Sequence, residues 1–487
     1  MSKKDIVLLG VLNLISLAGY ILVSRLIYGM GFPLDDAWIH QTYARNLANE
    51  GAWQFGATST AGGSTGPLWG VMIAVWYVLG LSPFWGTMFW GALMLYGNAW
   101  TAVRLSKVLT PAQNSRGIWL AALMLFEFHL VWAAGSGMET LLFSFLVLSV
   151  FYHLYRDRDR DWLMIGVLTG VSVWVRPGGL TLLGPAAWGL FLSNRNGREK
   201  VTLAVNLILS FAGIFILYLG FNQLLNGDWW PNTFYAKQAE YAQLRQLPLW
   251  RRLGRMVLPP LVGAGSILVP GFLIYFYNRI KQAEWAKLAG PLWGAGYILL
   301  YALRLPVTYQ HGRYVIPVVP VLLVYGWVGM RNWLELAVKE KRGFVLSRAW
   351  VVSLAVVALV FWGLGARAYG RDVAVIETEM VRTARWVDEN IQTDQVLAAH
   401  DIGALGYFTD HRLVDLAGLV SPDVIPFIRD QGQLAHFLDE EGAAFLITFP
   451  DWYPDLVQKG DLIYQTKGQF APEMGGENMA VYRWQQE

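Results

Sequence analysis

The chain lacks cysteine and has few charged residues. None of its 487 residues is a cysteine, and only 15% are Asp, Glu, Lys or Arg. The absence of thiols excludes disulfide bonds, a cysteine nucleophile and a cysteine metal site. The formal net charge is only +3, and the basic residues form short clusters between apolar runs. This distribution indicates membrane topology rather than nucleic-acid binding.

Apolar residues take the place of the missing charges. Hydrophobic residues make up 55% of the chain and aromatic residues 14%, and the mean hydropathy of +0.37 is too high for a soluble protein. Apolar runs near the spanning length of about 20 residues recur along it. The first, from Ile6 to Tyr28, we interpret as a retained anchor. The sequence therefore predicts a polytopic α-helical membrane protein.

The segment from Pro67 to Gly80 decides the predicted topology, because it is apolar but only marginally long. Short cytoplasmic loops carry an excess of Lys and Arg. If this segment does not cross, most basic clusters fall on the cytoplasmic side and we expect about eleven transmembrane helices in a multi-pass cell-membrane protein. The N-terminus is then cytoplasmic. Five basic residues of a longer outer loop count against this arrangement: Lys237, Arg245, Arg251, Arg252 and Arg255.

Composition changes near residue 369. Charged residues become more frequent, and short apolar runs at Val396–Ala399, Leu413–Leu416 and Ala443–Phe449 alternate with segments of helical spacing. We therefore predict two domains: a transmembrane domain over residues 1–368 and a small extracytoplasmic α/β domain over residues 369–487.

Two adjacent acids, Asp35 and Asp36, follow the first apolar run. A carboxylate so close to a membrane boundary is costly unless it is paired or functional. When partly desolvated, it gains basicity and can accept a proton from a hydroxyl. A helix cap explains one of the two residues equally well. His40 lies near the same helical face, where it could contact a phosphate or a sugar, or simply pack.

Further polar residues fall on the same predicted face of the membrane. Glu139 begins a span and is a candidate for substrate binding, although the helix dipole favours an acid there regardless of function. Arg176 precedes Pro177-Gly178-Gly179, which breaks the helix. At such a break the Arg176 guanidinium can bind a phosphate. His311 and Arg313, in YQHGRY, add positive charge and with Arg176 predict a site for a leaving phosphate. Anchoring at the membrane interface by Tyr309, Arg313 and Tyr314 is the alternative.

Aromatic and amide side chains cluster in the run DWWPNTFYAK. They suit stacking on a carbohydrate and hydrogen bonding to it, and they equally suit an aromatic belt at the interface. The candidates for substrate binding in this run are Trp230, Asn232, Tyr235 and Lys237.

Several of these segments together resemble a known family. The acidic pair, AWIHQTYARNLANEGAWQFG and STGPLW resemble the first outer loop of polytopic GT-C fold glycosyltransferases. GMET, RPGG, PNTFYAK, QHGRY and DIGALGYF follow in the matching order over essentially the whole chain. The nearest likeness is to the bacterial arabinofuranosyltransferase-like and mannosyltransferase-like branch.

The resemblance implies a transferase that moves a sugar from a polyprenyl-phosphate donor to a hydroxyl of a glycan, lipid or protein acceptor at the outer face. By motif match, Asp35 corresponds to the catalytic carboxylate residue of the family and Asp36 to its companion. The resemblance also implies juxtamembrane helices in a first outer loop of about residues 29–83. The class leaves a requirement for a divalent cation open, so no metal ligand and no certain cofactor is assigned.

These observations lead to one mechanistic hypothesis. Asp35 takes the proton of the acceptor hydroxyl, which attacks the anomeric carbon with inversion and displaces a phosphate held by Arg176 with Arg313 or His311. The alternative is a transporter or flippase of a lipid-linked or anionic solute. Transporters often show repeated halves with paired broken helices, whereas the sequence has one such break and no internal repeat, which favours the enzyme.

Overall fold

The computed structural model describes residues 2–56, 62–111, 117–337 and 341–485. Most of these residues are helical, and the sheet that they form lies near the C-terminal end. The helices before that sheet are, in chain order, α1 (Lys3–Ile27), α2 (Asp36–Glu50), α3 (Pro67–Val78), α4 (Pro83–Leu109), α5 (Gly117–Phe126), α6 (Phe128–Gly135), α7 (Thr140–Arg156), α8 (Asp159–Val175), α9 (Leu183–Leu192), α10 (Gly197–Asn226), α11 (Asn232–Glu240), α12 (Leu249–Leu261), α13 (Ala264–Lys281), α14 (Ala289–Arg304), the single turn α15 (Tyr309–Gly312), α16 (Val318–Ala337), α17 (Lys341–Ile376) and α18 (Arg382–Asn390).

Several helices have the length and composition of membrane spans. Within the described residues, three helical stretches qualify: Lys3–Ile27, Gly197–Asn226 and Gly343–Asn390. Two bent pairs, α5 with α6 and α12 with α13, raise the number to five if each pair is one span. The chain is therefore a membrane protein. The eleven spans expected from the sequence stay a prediction, because other apolar helices, such as α7, are shorter than 18 residues.

Glycines allow neighbouring helices of the bundle to pack closely. α13 lies along α16, and a Cβ on Gly271 would collide with the carbonyl oxygen of Gly326 on the facing helix. Close backbone approach through small residues is typical of helix packing in membranes. α1 packs along α17, α8 along α10, and α4 against α5 and α7. The outcome is one continuous apolar core through the helical part of the chain.

A buried acid explains the break between α5 and α6. Glu127 has extended backbone angles, and its side chain accepts a hydrogen bond from the Leu130 N–H at 2.9 Å, which caps α6. Its other carboxylate oxygen lies 2.8 Å from Nδ1 of His129. Glu127 thus has a structural role at a helix N-terminus.

The loop between α1 and α4 holds two short helices, α2 and α3. α3 begins at Pro67, which suits the first helical position because the N–H that proline lacks would be unpaired there. Its 12 residues extend about 18 Å at 1.5 Å per residue, too little to cross a hydrocarbon core of about 30 Å. Residues 57–61 of this loop lie outside the described residues.

A five-stranded mixed sheet forms the C-terminal part. Its strands are β1 (Val396–Ala399), β2 (Leu413–Asp415), β3 (Ala443–Thr448), β4 (Gly460–Gln465) and β5 (Ala480–Trp484). The spatial order is β2-β1-β3-β5-β4, with β1 parallel to β2 and β3, and β5 antiparallel to β3 and β4. The accompanying helices are α19 (Gly403–Phe408), α20 (Gln431–Glu440) and α21 (Phe470–Glu473).

A fully buried carboxylate joins α17 to this sheet. A π-helical turn over Glu377–Val381 follows α17 and turns Glu379 inward, where none of its surface is exposed. The carboxylate accepts hydrogen bonds from the Met479 N–H at 2.9 Å, from the Asn478 amide at 3.1 Å and from the Thr466 hydroxyl. Because a buried charge needs such partners, Glu379 fixes the sheet to the end of the last long helix.

Candidate active site

Asp35, the first of the two adjacent acids, contacts the C-terminal part of the chain. It precedes α2, but its side chain forms no capping hydrogen bond with that helix. Its carboxylate oxygens instead accept hydrogen bonds from the backbone N–H groups of Gly403 and Ala404, at 2.6 and 2.8 Å. These two residues begin α19. Asp35 therefore does not cap the helix that follows it, but connects the first loop to the sheet region.

The surroundings of Asp35 are closed. Only 7% of its surface is exposed, and a Cβ on Gly403 would collide with it. Burial and the neighbouring Asp401 carboxyl raise the pKa of Asp35, and the two backbone N–H groups act in the opposite direction. Asp35 does not line the cavity described below. The role of Asp35 as the residue that takes the acceptor proton therefore stays a prediction from the sequence.

Asp36, the second acid, is held by two cations. Its Oδ2 lies 2.7 Å from Nη1 of Arg313 and 3.6 Å from Nζ of Lys237. Burial raises the pKa of Asp36, but the charges of Arg313 and Lys237 outweigh burial and hold this pKa well below its usual range. The Asp36 side chain keeps 29% of its surface exposed. It is an ionised carboxylate that can still be reached.

Glu139 and Arg176 form a second ion pair, with 2.6 Å between Oε1 and Nε. Nη2 of Arg176 donates to the Thr140 hydroxyl at 2.6 Å, and Nε2 of His40 lies 3.3 Å from Oε2 of Glu139. After Arg176 the helix breaks into the 3-10 turn Pro177–Leu182. Nη1 of Arg176 has no hydrogen-bond partner in the part of the chain that the structure describes. The guanidinium is thus rigidly held with one donor group left unused.

Both ion pairs border one cavity of about 340 Å³. The lining combines charged groups with apolar side chains, a composition that suits a ligand with an anionic head and an apolar tail. The polar and aromatic lining residues include Asp36, Thr65, Glu139, Arg176, Thr181, Thr233, Lys237, Gln238, Tyr301, Arg304, Arg313 and Tyr314. The apolar lining residues include Met138, Leu180, Trp230, Phe234, Leu300 and Leu305.

The YQHGRY segment directs its two cationic residues to different places. Gln310, His311 and Gly312 have φ values of +55°, +58° and +68°, so the backbone is left-handed at two residues other than glycine, which is strained. Arg313 then lines the cavity. Nε2 of His311 lies 2.8 Å from Oδ2 of Asp372, in a separate groove. The structure thus does not bring His311 to the phosphate site expected for it.

Only some residues of the run DWWPNTFYAK lie at the cavity. Trp230 and Lys237 line the cavity, and Trp230 stacks on Phe234 with 5.7 Å between ring centroids. Asn232 is buried, and its backbone N–H donates to the Gly62 carbonyl at 3.1 Å. Tyr235 is 37% exposed. Asn232, Tyr235 and His40 are not among the residues that line the cavity. Nε2 of His40 lies 3.3 Å from Oε2 of Glu139, which does line it.

Two tyrosines of the cavity have no role in the mechanism expected from the sequence. Tyr301 and Tyr314 stack with 5.6 Å between their ring centroids. The Tyr314 hydroxyl accepts a hydrogen bond from Nη2 of Arg313 at 3.2 Å, and Nζ of Lys237 lies 5.8 Å from the Tyr314 ring centroid. The only sequence signal for Tyr314 is its place beside Arg313, which interface anchoring explains equally well.

The described residues contain no group of three or more His, Cys, Asp or Glu side chains that could hold a metal ion. Asp36 and Glu139, the two carboxylates of the cavity, each face an arginine at 2.6 to 2.7 Å. This donor set does not fit a divalent cation, which takes several oxygen ligands.

Comparison with known proteins identifies the fold. ArnT from Cupriavidus metallidurans, in a structure with bound undecaprenyl phosphate, is similar over 99% of this chain and 98% of its own, with 14% identity and a TM-score of 0.58. Oligosaccharyltransferase AglB from Archaeoglobus fulgidus, in complex with an inhibitory peptide and a dolichol-phosphate, is similar over 90% and 69%, with 12% identity and a TM-score of 0.59.

A mycobacterial protein and one family description complete the comparison. Arabinofuranosyltransferase AftD from Mycobacteria is similar over 99% of this chain and 42% of its own, with 16% identity and a TM-score of 0.54. Residues 371–482 match a family described as a domain of unknown function (DUF8728). No curated protein sequence matches the chain. The likeness to the three solved structures shows that the chain has the GT-C fold of membrane glycosyltransferases.

Proposed function

We propose that the protein is a membrane glycosyltransferase that moves a sugar from a polyprenyl-phosphate donor to an acceptor hydroxyl on the extracytoplasmic face. The resemblance of its sequence motifs supports the arabinofuranosyltransferase-like or mannosyltransferase-like branch as part of this proposal. The observation that carries the proposal is the cavity, whose lining includes the ionised Asp36 carboxylate and apolar side chains. Three of its cationic residues are the proposed phosphate ligands: Arg176, Lys237 and Arg313. Two proteins that share the fold have structures with a lipid phosphate: ArnT with undecaprenyl phosphate and AglB with a dolichol-phosphate.

The cations account for the donor phosphate. Arg313, Lys237 and Arg176 all line the cavity. Nη1 of Arg176 and Nε of Arg313 lack hydrogen-bond partners among the described residues. A buried N–H without a partner costs about 1–3 kcal/mol, so phosphate oxygens supply what these groups need. The apolar wall, which includes Leu300, accommodates the first isoprenoid units.

Asp36 is the base in this proposal. Arg313 and Lys237 approach its Oδ2, which leaves Oδ1 for the acceptor hydroxyl. The proton passes to Asp36, the acceptor oxygen bonds to the anomeric carbon with inversion, and the bond from that carbon to the phosphate oxygen breaks. The electron pair stays on the departing polyprenyl phosphate, whose charge the three cations stabilise.

Binding of the donor strengthens this base. In the free protein Arg313 and Lys237 lower the pKa of Asp36, so its carboxylate takes up protons poorly. A phosphate that binds to the same two cations draws their charge away from Asp36 and raises its basicity. Asp35, fixed by Gly403 and Ala404, positions the loop that carries Asp36. The acceptor proton is thus removed only when a donor is in place.

The test is transfer of labelled sugar by the full chain in liposomes. Polyprenyl-phosphate arabinofuranose and polyprenyl-phosphate mannose are offered with a bacterial envelope extract as acceptor. The proposal expects labelled product from one of them, absent with the Asp36→Asn variant. Movement of the intact donor across the bilayer without any product would instead support the transporter alternative and overturn the proposal.

A further inference from the structure

One helix beside the cavity has a surface that the proposed reaction does not use. α12 is followed by Gly263 with a φ of +76°, and the chain then bends by 105° into α13. Pro259 and Pro260 in the last turn of α12 lack N–H groups, which explains why the helix ends there. If α13 runs across the membrane with its neighbour α16, α12 lies nearly parallel to the membrane surface.

The sequence of α12 separates apolar from basic side chains. Trp250 and Val257 are seven residues apart and share one flank, where they are 69% and 38% exposed. Arg251 and Arg255 are four residues apart, share another flank and are also exposed. In the part of the chain that the structure describes, neither arginine forms a salt bridge. The Arg251 guanidinium lies 5.1 Å from the centroid of the Trp250 ring. Exposed tryptophan beside arginine that forms no salt bridge is typical of helices that lie in a membrane interface.

The third flank attaches α12 to the cavity wall. Nη1 of Arg252 donates to the Ala302 carbonyl at 3.0 Å, one turn or less from Leu300 and Arg304, which line the cavity. Met256 is fully buried and packs with Ala302 and Val315. α12 is therefore at the same end of the molecule as the ion pairs of the cavity.

We propose that α12 is a docking surface for anionic lipid: its apolar flank enters the acyl region, and Arg251 and Arg255 bind lipid phosphate groups beside the cavity. Charge complementarity favours this partner, because two exposed arginines that form no salt bridge among the described residues attract lipid phosphate groups. The exposed apolar flank would be unfavourable against water, and an acidic soluble protein would leave it uncovered. The polyprenyl-phosphate donor, itself an anionic lipid, is concentrated at the cavity in this way; that last step rests on the proposed function.

The first test measures lipid preference without any glycosyl transfer. The full chain is purified in mixed micelles of phosphatidylglycerol and phosphatidylcholine, and bound lipids are counted by native mass spectrometry. The Arg251→Gln/Arg255→Gln variant should retain roughly thirtyfold less phosphatidylglycerol, since each of the two basic residues near a membrane contributes about 1 kcal/mol. The matched control Arg429→Gln/Arg483→Gln removes two exposed arginines from the sheet region and should change nothing. Equal retention by both variants would overturn the proposal.

Because the chain has no cysteine, single labels can test the orientation of α12. A fluorophore on Val257→Cys should be quenched by spin-labelled lipid, and one on Arg255→Cys by aqueous iodide. Equal quenching of both by iodide would contradict the proposed orientation. The Arg251→Lys/Arg255→Lys variant should keep the lipid preference, which separates lost charge from lost folding. If the protein is also a transferase, the glutamine variant should raise KM for the donor with kcat unchanged.

Discussion

The Asp36 carboxylate lies 2.7 Å from the Arg313 guanidinium, and this contact joins the first loop to the segment before α16. Each residue needs the other, since both are largely withdrawn from water. In the proposed reaction each also has a second partner, the acceptor hydroxyl for Asp36 and the donor phosphate for Arg313. The ion pair thus stabilises the empty site. When substrates bind, Asp36 contacts the acceptor hydroxyl and Arg313 contacts the donor phosphate.

Replacing Asp36 by Asn should abolish most transfer without loss of the fold. Asn keeps the shape and one oxygen for Arg313, but it cannot accept the acceptor proton. The rate of sugar transfer should fall by roughly 10²–10⁴-fold, the usual contribution of a positioned base. The control is Glu50→Gln at the exposed end of the same helix, which should stay active. Wild-type rates in the Asp36→Asn variant would remove Asp36 from the mechanism.

Replacing Asp35 by Asn should act mainly on stability. One carboxylate oxygen becomes an NH₂ group, which meets the N–H of Gly403 or Ala404 instead of accepting from it. An unpaired buried N–H costs about 1–3 kcal/mol of unfolding free energy. Hydrogen exchange of these two amides should accelerate, and thermal stability should fall.

The control for that experiment is Asp410→Asn, at an exposed position of the same region. Unchanged amide exchange and stability in the Asp35→Asn variant, together with lost transfer, would return Asp35 to the role of base that the sequence suggested.

Arg176 should not be replaceable by lysine. Its guanidinium holds Glu139 and Thr140 with two nitrogens and leaves Nη1 free, a fork that a single ammonium cannot reproduce. We expect kcat to fall on the order of a hundredfold in the Arg176→Lys variant, as for loss of one preorganised donor. The comparison is Arg195→Lys, at an exposed ion pair at the other end of α8. Equal activity of the two variants would exclude Arg176 from phosphate stabilisation.

The acid limb of the pH–rate profile should respond to Lys237. Lys237 and Arg313 keep the pKa of Asp36 low, so in the free protein Asp36 stays ionised well below neutral pH. In the Lys237→Gln variant one of these cations is gone, the pKa of Asp36 rises, and activity is lost at a higher pH as acid is added. This shift should appear in kcat/KM, which reports the free protein.

The exposed Lys467 offers the control for the pH profile, since Lys467→Gln removes the same charge far from the cavity. An acid limb that is the same in both variants would show that Lys237 does not set the ionisation of Asp36.

The sequence carried enough information to find half of the site. Asp36, Glu139, Arg176 and Arg313 each lie at the end of an apolar run or beside a helix break, so their chemistry and approximate location could be predicted together. The division of labour between Asp35 and Asp36 could not, because it depends on amides of Gly403 and Ala404, some 370 residues away in the chain. No local pattern specifies that contact.

His311 was misplaced for a different reason. The sequence predicts that His311 and Arg313 bind the same phosphate. The left-handed backbone at Gln310 and His311 instead directs the side chains of His311 and Arg313 to different places. Of these residues, only Gly312 is of a type that predicts a sharp backbone turn from the sequence. Positive φ at the other two residues is imposed by the surrounding fold, which a local pattern does not encode.

The hydrogen bonds from Gly403 and Ala404 to Asp35 limit how far the sheet region can be exchanged between proteins. Because residues 371–482 match a domain family of their own, the sheet region could be taken for an interchangeable module. Yet the bundle would lose the partner of a buried carboxylate if that region were cut away, and a transplanted replacement would have to present two amides at the same place. Recombination between relatives is therefore confined to pairs in which the first loop and the sheet region are exchanged as one unit.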